Sequence, residues 1–271
     1  MEKIISVSFL GPKGTFTQQA AEHMFPNTAL AAMPDISSVF ESVLNLECRA
    51  GVAPLENSTE GAVNATLDAL LRSDGLVITS LLVLPINHSL IGNNEAPDRI
   101  LAHPQALAQC RDFIRGRYPK ACLVPCASNA EAAMIVSRSD EKWAAIGPSA
   151  AAALYGLRIL EERVQDSPLN STAFIQVERS QEQSPKKGCR TSIVFSTKNE
   201  PGALCRMLSI LKGINMTKIL SRPVPERPGE YIFFVDIEDY EVEDAKKALK
   251  QMEHEATVYK FLGSYPICQK G

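Results

Sequence analysis

The chain has 271 residues, enough for one large domain or two ordinary domains with their own cores. Its 28 Lys and Arg against 31 Asp and Glu give a formal net charge of −3, with no long block of one sign. This composition argues against a nucleic-acid-binding or membrane-surface protein, because both usually carry a basic patch. The N-terminal apolar run is too short for a secretory signal and no apolar stretch reaches spanning length, so we expect a cytoplasmic protein.

Up to about residue 179, short apolar stretches typical of strands alternate with stretches of helical periodicity. Strands connected by helices of this length predict crossover connections and a mostly parallel sheet. Ser38 and Glu41 have the spacing of a capping box, and Gly156 has the position of a C-terminal cap. The predicted strands are 5–10, 51–54, 99–102, 121–125 and 143–146, and the predicted helices are 11–25, 35–48, 58–71, 104–114, 128–136 and 149–156.

The C-terminal part has a different order of elements. A polar stretch with Pro and Gly but no apolar periodicity covers 178–188, and it indicates a linker at about 181–189 between a domain 1–180 and a domain 190–271. The elements beyond it follow the order β-α-β-β-α-β, which is the ferredoxin-like unit. Its predicted elements are 191–197, 201–212, 214–220, 231–239, 241–253 and 256–266.

The cysteines and histidines do not indicate a metal site. Of seven cysteines only Cys122 and Cys126 are close in sequence, and the four histidines share no metal-binding spacing. A structural zinc site needs a second pair of ligands near the first. We therefore expect free thiols and no metal.

Three polar segments, 11–17, 54–61 and 103–109, follow predicted strands, which is where α/β proteins bind ligands. Lys13 lies between Gly11 and Gly14 rather than after the last glycine, so a nucleotide-binding loop is not indicated. Hydroxyls, amides and helix N-termini instead suit a small ligand that carries carboxylates.

The residues of these segments also have ordinary structural interpretations. Thr15 has the position of a helix N-cap, and Glu56 is either a general acid with a pKa raised by burial or a scaffold residue. His88 fits a structural position better than a catalytic one. Thr172, which follows Asn170 and Ser171, either closes a turn or does chemistry at a cleft. The residue types alone leave these alternatives open.

Several motifs of the first part occur in a characteristic order and spacing: "FLGPKGTFTQQAA", "GVAPLENSTEGAVNATLDALL", "LPINHSLIG", "HPQALAQC" and "QDSPLNSTAF". The C-terminal part contains "NEPGALCRML" and "TKILSRP". Taken together, these motifs resemble the prephenate dehydratase family over essentially the whole chain, and the C-terminal part resembles an ACT regulatory domain.

The resemblance implies an α/β catalytic domain of two lobes, folded like a periplasmic-type binding protein, with the active site in the cleft between them. Lobe one is expected at about 1–78 and 166–180, and lobe two at about 79–165. The ferredoxin-like unit at 190–271 is then the ACT domain.

The implied reaction converts prephenate to phenylpyruvate with loss of carbon dioxide and water, and it needs no cofactor because aromatisation supplies the driving force. The catalytic threonine of the family corresponds to Thr172, which we interpret as a hydrogen-bond donor to the departing ring hydroxyl. Asn57 and Gln109 match other functional positions of the family. The resemblance places a further set in the cleft as substrate-binding residues: Thr15, Phe16, Ser58, Thr59 and Phe174.

The ACT resemblance implies phenylalanine as an allosteric effector bound between subunits of a homodimer or homotetramer. The residues expected to bind it are Asn199, Gly202, Ala203, Leu204, Ser221 and Arg222. The chain also departs from the family pattern. Ala173 replaces an arginine, Ala102 a serine and Ala127 a glutamate, while Leu220 replaces the glutamate of the effector motif. Two alternative functions therefore stand beside the dehydratase: an arogenate dehydratase, and a sensor of small acids that has lost catalysis.

Overall fold

The computed structural model of the protein describes residues 6–180, 184–224 and 230–269. The predicted alternation of strands and helices in the first 180 residues is confirmed. In chain order these elements are β1 (Val7–Leu10), α1 (Phe16–Met24), β2 (Leu30–Met33), α2 (Ile36–Leu44), β3 (Ala50–Asn57), β4 (Gly61–Ala62), α3 (Asn64–Arg72), β5 (Leu76–Pro85), β6 (Ser89–Gly92), β7 (Arg99–Ala102), α4 (Pro104–Gln109), α5 (Arg111–Arg117), β8 (Cys122–Pro125), α6 (Asn129–Ser137), β9 (Trp143–Gly147), α7 (Ser149–Tyr155), β10 (Arg158–Glu161) and β11 (Ser171–Arg179).

These elements form two sheets and therefore two lobes, as expected. The first sheet has the strand order β5-β11-β3-β1-β2, with β4 paired to β3. The second sheet has the order β10-β6-β9-β7-β8. The prediction of a mostly parallel sheet is wrong, because β11 is antiparallel to β3 and β5, and β6 is antiparallel to β9 and β10. The chain passes from the first sheet to the second after β5 and returns with β11, so two crossing segments join the lobes.

The first crossing lies later in the chain than expected. Lobe one was expected to end near residue 78, but β5 pairs with β11 along its whole length, up to the pair Pro85 and Ser171. The next strand, β6, begins at Ser89 in the second sheet. The chain therefore crosses between residues 85 and 89, because β5 is ten residues long and its apolar side chains are needed by the first core.

The C-terminal part forms the predicted ferredoxin-like unit. Its elements are β12 (Arg190–Ser196), α8 (Ala203–Ile210), β13 (Asn215–Pro223), β14 (Tyr231–Glu238), α9 (Val242–Glu255) and β15 (Val258–Tyr265). The four strands make an antiparallel sheet in the order β13-β14-β12-β15, hereafter the C-terminal sheet. A short last strand, β16 (Ile267–Gln269), was not predicted and joins the first sheet beside β5.

One face of the C-terminal sheet packs on the first lobe. Val194, Phe234 and Leu262 share a core with α2, α3 and β5 of that lobe, so the contact is apolar and continuous. The Lys260 ammonium donates to the carbonyl oxygens of Leu71 and Ser73, at 3.1 and 3.0 Å, where α3 ends. A cation satisfies the free carbonyls at a helix C-terminus and interacts favourably with the helix dipole.

Local details both confirm and correct the sequence predictions. Gly156 adopts a left-handed conformation (φ 66°) at the end of α7, as predicted for a C-terminal cap. The capping box at Ser38 is wrong, because Asp35 is the N-cap of α2 and its Oδ1 accepts from the Ser38 N–H at 2.7 Å. The single predicted helix 104–114 is two helices that meet at Cys110.

Two kinds of feature are absent from the described residues. No helix there is long and apolar enough to cross a membrane. No three His, Cys, Asp or Glu side chains within the described ranges lie close enough together to hold a metal ion.

Candidate active site

A cleft of about 700 Å³ lies between the two lobes. Both lobes line it, and among the described residues of its lining Glu131 is the only Asp, Glu, Lys or Arg. The remaining polar groups are hydroxyls, amides and histidines. From the first lobe and the crossing segments come Leu10, Gly11, Pro12, Thr15, Phe16, Thr17, Pro34, Pro54, Asn57, Ile86, His88, Asn170, Thr172 and Phe174, and from the second lobe come His103, Gln105, Ala106, Gln109, Ala127, Ser128, Asn129, Glu131, Met134, Pro148 and Tyr155.

Thr172 and Asn57 lie side by side in this cleft. They are paired positions of the neighbouring antiparallel strands β11 and β3, so the sheet fixes their spacing. Asn57 Nδ2 lies 2.9 Å from Thr172 Oγ1. Asn57 Oδ1 accepts from the backbone N–H groups of Thr59 and Glu60, at 2.9 and 3.1 Å. Its oxygen is thereby assigned, and Nδ2 must be the atom that donates to Thr172.

The hydrogen bonds continue from Asn57 to the second lobe. Asn57 Nδ2 also donates to Asn170 Oδ1 at 3.0 Å, and Asn170 Nδ2 donates to Gln109 Oε1 at 3.0 Å. His88 Nε2 lies 3.0 Å from the same Gln109 oxygen. Thr172, Asn57, Asn170, Gln109 and His88 therefore form one chain of hydrogen bonds, hereafter the amide chain.

The donors and acceptors of the amide chain are mutually consistent: Asn57 donates to both of its neighbours, and two donors converge on Gln109 Oε1. Since Gln109 Oε1 is an acceptor, His88 must carry its proton on Nε2. Burial lowers the pKa of His88, and the hydrogen bond with Gln109 raises it by less. The neutral imidazole with a proton on Nε2 is therefore favoured. Within the described residues, His88 Nδ1 and Gln109 Nε2 are buried without a hydrogen-bond partner.

The structure brings together most of the catalytic and substrate-binding residues expected from the sequence. Thr15 accepts from the Gln18 N–H as the N-cap of α1, so its structural interpretation also holds. Phe16 contacts the His88 ring edge-on, with centroids 5.4 Å apart. Phe174 is buried in the core below the cleft and reaches its lining.

Ser58 and Thr59 do not line the cleft; both are exposed. The Ser58 hydroxyl accepts from the Ser171 N–H at 3.0 Å, and the Thr59 N–H holds Asn57 Oδ1. Their contribution is to the turn that orients Asn57. Glu56 points away from the cleft and pairs with Lys218 of the C-terminal sheet, which disfavours it as the general acid.

The departures from the family pattern fall in different places. Ala173 lies between Thr172 and Phe174 on a strand, so its side chain is on the opposite face and packs on the first core. Ala102 is fully buried in the core of the second lobe. Of these three alanines, the cleft lining includes Ala127 alone.

The residues expected to bind an effector lie outside the cleft and are spread over the C-terminal unit. Gly202, in a left-handed conformation (φ 77°), precedes α8, and Ala203 and Leu204 begin that helix. Asn199 lies in the exposed turn before them. Arg222 donates to Asp68 of the first lobe at 2.7 Å, whereas the exposed Ser221 is on the other face of β13.

Two members of the amide chain, Asn170 and His88, are not candidate site residues on sequence grounds. Asn170 was expected to shape a turn and His88 to be structural. Their contacts with Gln109 span 61 and 21 residues of sequence, which no local pattern reveals.

Comparison with known proteins agrees with this geometry. A sequence profile described as prephenate dehydratase matches residues 7–182. The bifunctional chorismate mutase/prephenate dehydratase of Stutzerimonas stutzeri is 41% identical over 98% of this chain and 74% of its own length. The prephenate dehydratase of Methanocaldococcus jannaschii is 37% identical over 97% of this chain and 98% of its own length. A solved prephenate dehydratase from Arthrobacter aurescens, in complex with L-Phe, gives a TM-score of 0.87 at 33% identity and covers 97% of this chain and 90% of that one.

The two-lobed fold, the hydroxyl- and amide-lined cleft and these matches define an enzyme of the carbon–oxygen lyase class. The chain belongs to the prephenate dehydratase family.

Proposed function

We propose that the chain converts prephenate to phenylpyruvate, carbon dioxide and water, with Thr172 as the hydrogen-bond donor to the leaving hydroxyl. The observation that carries this proposal is the direction of the hydrogen bond between Asn57 and Thr172. Asn57 Nδ2 donates to Thr172 Oγ1, so the threonine oxygen is already an acceptor and its own hydrogen is free to point into the cleft. A leaving hydroxyl in the cleft is the acceptor that this hydrogen suits.

The reaction breaks two bonds of the substrate ring. The bond between the ring carbon and its carboxylate breaks, carbon dioxide leaves, and the electron pair of that bond becomes part of the aromatic ring. The carbon–oxygen bond on the opposite side of the ring breaks with its pair on the oxygen. The departing hydroxide takes up one proton from solvent and leaves as water. A hydrogen bond from Thr172 that strengthens as negative charge develops on this oxygen lowers the barrier by electrostatic stabilisation.

The two carboxylates of prephenate would be held without a salt bridge to a lining Lys or Arg. The N-terminus of α1 faces the cleft at Thr15 and Phe16, and a helix N-terminus attracts anions. Gln109 also lines the cleft, and its Nε2 is a buried donor with no partner among the described residues, so it contacts a carboxylate oxygen only if the ligand displaces the groups that cover it. Positioning by such neutral donors suits a reaction driven by aromatisation.

We further propose that the C-terminal unit is an ACT domain that binds phenylalanine between two copies of the chain. The L-Phe complex of the Arthrobacter relative supports phenylalanine as the effector. β13 is an edge strand of the C-terminal sheet, and its Ile219 and Met216 side chains are 50% and 39% exposed. An apolar edge strand favours pairing with a second copy, which supports a homodimer or a homotetramer built from dimers.

The test is the production of phenylpyruvate from prephenate by the purified chain, with Thr172→Ala as the background control. Turnover well above that control supports the dehydratase. If phenylalanine forms from arogenate but no phenylpyruvate forms from prephenate, the chain is an arogenate dehydratase instead. Binding of prephenate without turnover of either substrate would show a sensor.

A further inference from the structure

We infer that His88 is a positioning residue of the active site, which holds the side-chain amide of Gln109, a residue of the cleft lining, with its oxygen towards Asn170. The inference rests on the proposed function for its kinetic part only. His88 lies in the first crossing segment, between β5 and β6, and Gln109 ends α4 in the second lobe. The contact between His88 and Gln109 therefore joins the second lobe to the segment that connects this lobe to the first one.

The orientation of Gln109 depends on two donors that meet at one oxygen. Asn170 Nδ2 and His88 Nε2 both lie 3.0 Å from Gln109 Oε1. A carbonyl oxygen has two lone pairs, so both bonds are satisfied at once. Rotation of the amide by a half-turn would place an NH₂ group against two N–H donors, which is unfavourable. Without His88 Nε2–H, only one of these two donors remains.

His88 is itself held rigidly, as a positioning residue must be. Its backbone N–H donates to Gln165 Oε1 at 2.9 Å, and its carbonyl accepts from the Val164 N–H at 2.9 Å. Both partners lie in the second crossing segment. The ring is 3% exposed and packs edge-on against Phe16. Its only hydrogen bond as a side chain within the described residues is the one to Gln109, because Nδ1 has no partner there.

Two substitutions separate this role from simple packing. His88→Gln places an amide N–H donor where Nε2–H was. His88→Leu replaces the ring with an apolar side chain and so removes the donor. We expect His88→Leu to lower kcat/KM about tenfold or more, the kinetic equivalent of one well-placed hydrogen bond, and His88→Gln to stay within about threefold of the unchanged chain. Equal losses in both variants, or no loss in His88→Leu, would overturn the inference.

The matched control is Thr79→Val. Thr79 Oγ1 is likewise a buried side-chain atom with no hydrogen-bond partner in the described part of the chain, but it lies on β5 outside the cleft lining. Its replacement by an isosteric apolar residue should leave kcat/KM unchanged. A loss of activity in this variant equal to that of His88→Leu would show that any change in these buried strands affects turnover, and would count against a specific role for His88.

A second measurement does not depend on activity. The ¹⁵N shifts of the imidazole rings report which ring nitrogen carries the proton, and His88→Gln or Gln109→Leu spectra identify the His88 signals. In the unchanged chain we expect His88 to carry its proton on Nε2 alone, and in Gln109→Leu we expect this preference to weaken. A proton on Nδ1 in the unchanged chain would overturn the inference even if prephenate turnover is normal. The predicted tautomer in a chain without turnover would leave this inference standing and reject the proposed function.

Discussion

The orientation of the Thr172 hydroxyl is set by the neighbouring side chain that donates a hydrogen bond to it. A threonine hydroxyl is a weak acid, and the group hydrogen-bonded to it, the Asn57 amide, is not a base. What the site provides is direction: Asn57 is fixed by two backbone N–H groups and donates to Thr172 Oγ1, so the hydroxyl hydrogen must find another acceptor. The catalytic value of Thr172 then lies in a preorganised donor.

Removal of the Thr172 hydroxyl should therefore reduce kcat much more than substrate affinity. We expect Thr172→Ala to lower kcat by about 10²–10⁴-fold, the range for a lost acid–base or donor group, and Thr172→Ser to recover most of it. Steady-state kinetics with prephenate measures both. Thr59→Ala is the control, because Thr59 is exposed and holds Asn57 through its backbone alone, and it should retain full activity. A Thr172→Ser variant as inactive as Thr172→Ala would contradict a role for the hydroxyl.

Asn57→Asp should reverse the direction of the hydrogen bond to Thr172. The aspartate oxygen that replaces Nδ2 can only accept, so the Thr172 hydroxyl would turn towards it and away from the substrate. The same oxygen would also face Asn170 Oδ1, an unfavourable contact between two acceptors. We expect kcat to fall by about 10²-fold or more, although the change is nearly isosteric. Turnover by Asn57→Asp close to that of the unchanged chain would show that the direction of this bond does not matter.

At the scale of single residues, the sequence predicts which residues line the site better than it predicts the contacts that orient their side chains. Thr172, Asn57 and Gln109 were identified from motifs and lie together in the cleft. Ser58 and Thr59 stand in the same motif, yet they serve the turn. Asn170 and His88 could not be recognised, because their function arises from contacts between segments that only the folded lobes bring together.

At the scale of elements, strand alternation decides which departures from the family pattern reach the site. Because successive side chains of a strand point to opposite faces, Thr172 and Phe174 face the cleft and Ala173 faces the first core. The replacement of the family arginine by Ala173 therefore falls on the face of the sheet that is turned away from the cleft. The short motif shows that residue 173 differs, but it does not show which face of the sheet the residue occupies.

The contact between the C-terminal sheet and the first lobe contains one buried acid, Asp236 on β14. It accepts from the Ser192 hydroxyl, and the Arg190 guanidinium lies 3.8 Å away. Burial raises the pKa of Asp236 from its ordinary value of 3.8, and this outweighs the lowering by Ser192, Arg190 and Lys218. The folded chain therefore holds this proton to higher pH than the unfolded chain does.

The stability of the protein should reflect that raised pKa. Between pH 3.8 and the higher folded-state value, the folded state binds more protons at Asp236 than the unfolded state, so the free energy of unfolding falls as the pH rises through this window. Asp236→Asn removes the titration and keeps the acceptor for Ser192. We expect the stability difference, unchanged chain minus variant, to decrease from about pH 4 towards pH 7 in urea titrations.

Asp35 provides a control of opposite sign. It is the exposed N-cap of α2, and the hydrogen bond from the Ser38 N–H lowers the pKa of its carboxyl. Its stabilisation is present above the ordinary carboxyl pKa and is lost as the pH falls through the lowered one. The difference between the unchanged chain and Asp35→Asn should therefore increase with pH. A difference for Asp236→Asn that also increases with pH would contradict the burial argument.

At the scale of the whole molecule, the C-terminal sheet is attached directly to the strand that carries Asn57. Lys218 of β13 forms an ion pair with Glu56, the residue before Asn57 on β3. Arg222, four residues further along β13, forms an ion pair with Asp68 of α3, and its Nη1 lies 2.7 Å from Asp68 Oδ1. The side chains of residues 218, 220 and 222 therefore lie on the face of β13 that meets the first lobe. A displacement of β13 would shift the Lys218–Glu56 pair, which adjoins Asn57 of the site.

The fold at this scale was largely predictable from the order of elements, since alternation gave the α/β lobes and the β-α-β-β-α-β order gave the C-terminal sheet. The packing between the two was not. The Lys218–Glu56 pair spans 162 residues of sequence, and the last strand, β16, adds to the first sheet after the ferredoxin-like unit is complete. Such contacts are set by the docking of finished units, and neither hydrophobic periodicity nor turn chemistry encodes them.

If phenylalanine binds the C-terminal unit as proposed, we expect its effect on the active site to be transmitted to Asn57 through the Lys218–Glu56 pair. Binding should raise the thermal midpoint by mass action and lower the rate of phenylpyruvate formation. We expect Lys218→Met to keep the first effect and lose most of the second, because the effector site remains while its contact with β3 is broken. By thermodynamic reciprocity, a substrate analogue should then change the affinity for phenylalanine less in the variant than in the unchanged chain.

The control for this prediction is Lys246→Met, which breaks an exposed pair with Glu243 on α9, where the ammonium lies 2.8 Å from the carboxylate. Exposed pairs of this kind contribute little, so inhibition should be unchanged in that variant. Calorimetric titration with phenylalanine and initial rates, measured on the same preparations, separate binding from coupling. A Lys218→Met chain that is still inhibited in full would show that the signal travels by another contact, with Arg222 and Asp68 the next to test. A variant that no longer binds phenylalanine would instead place Lys218 in the effector site itself.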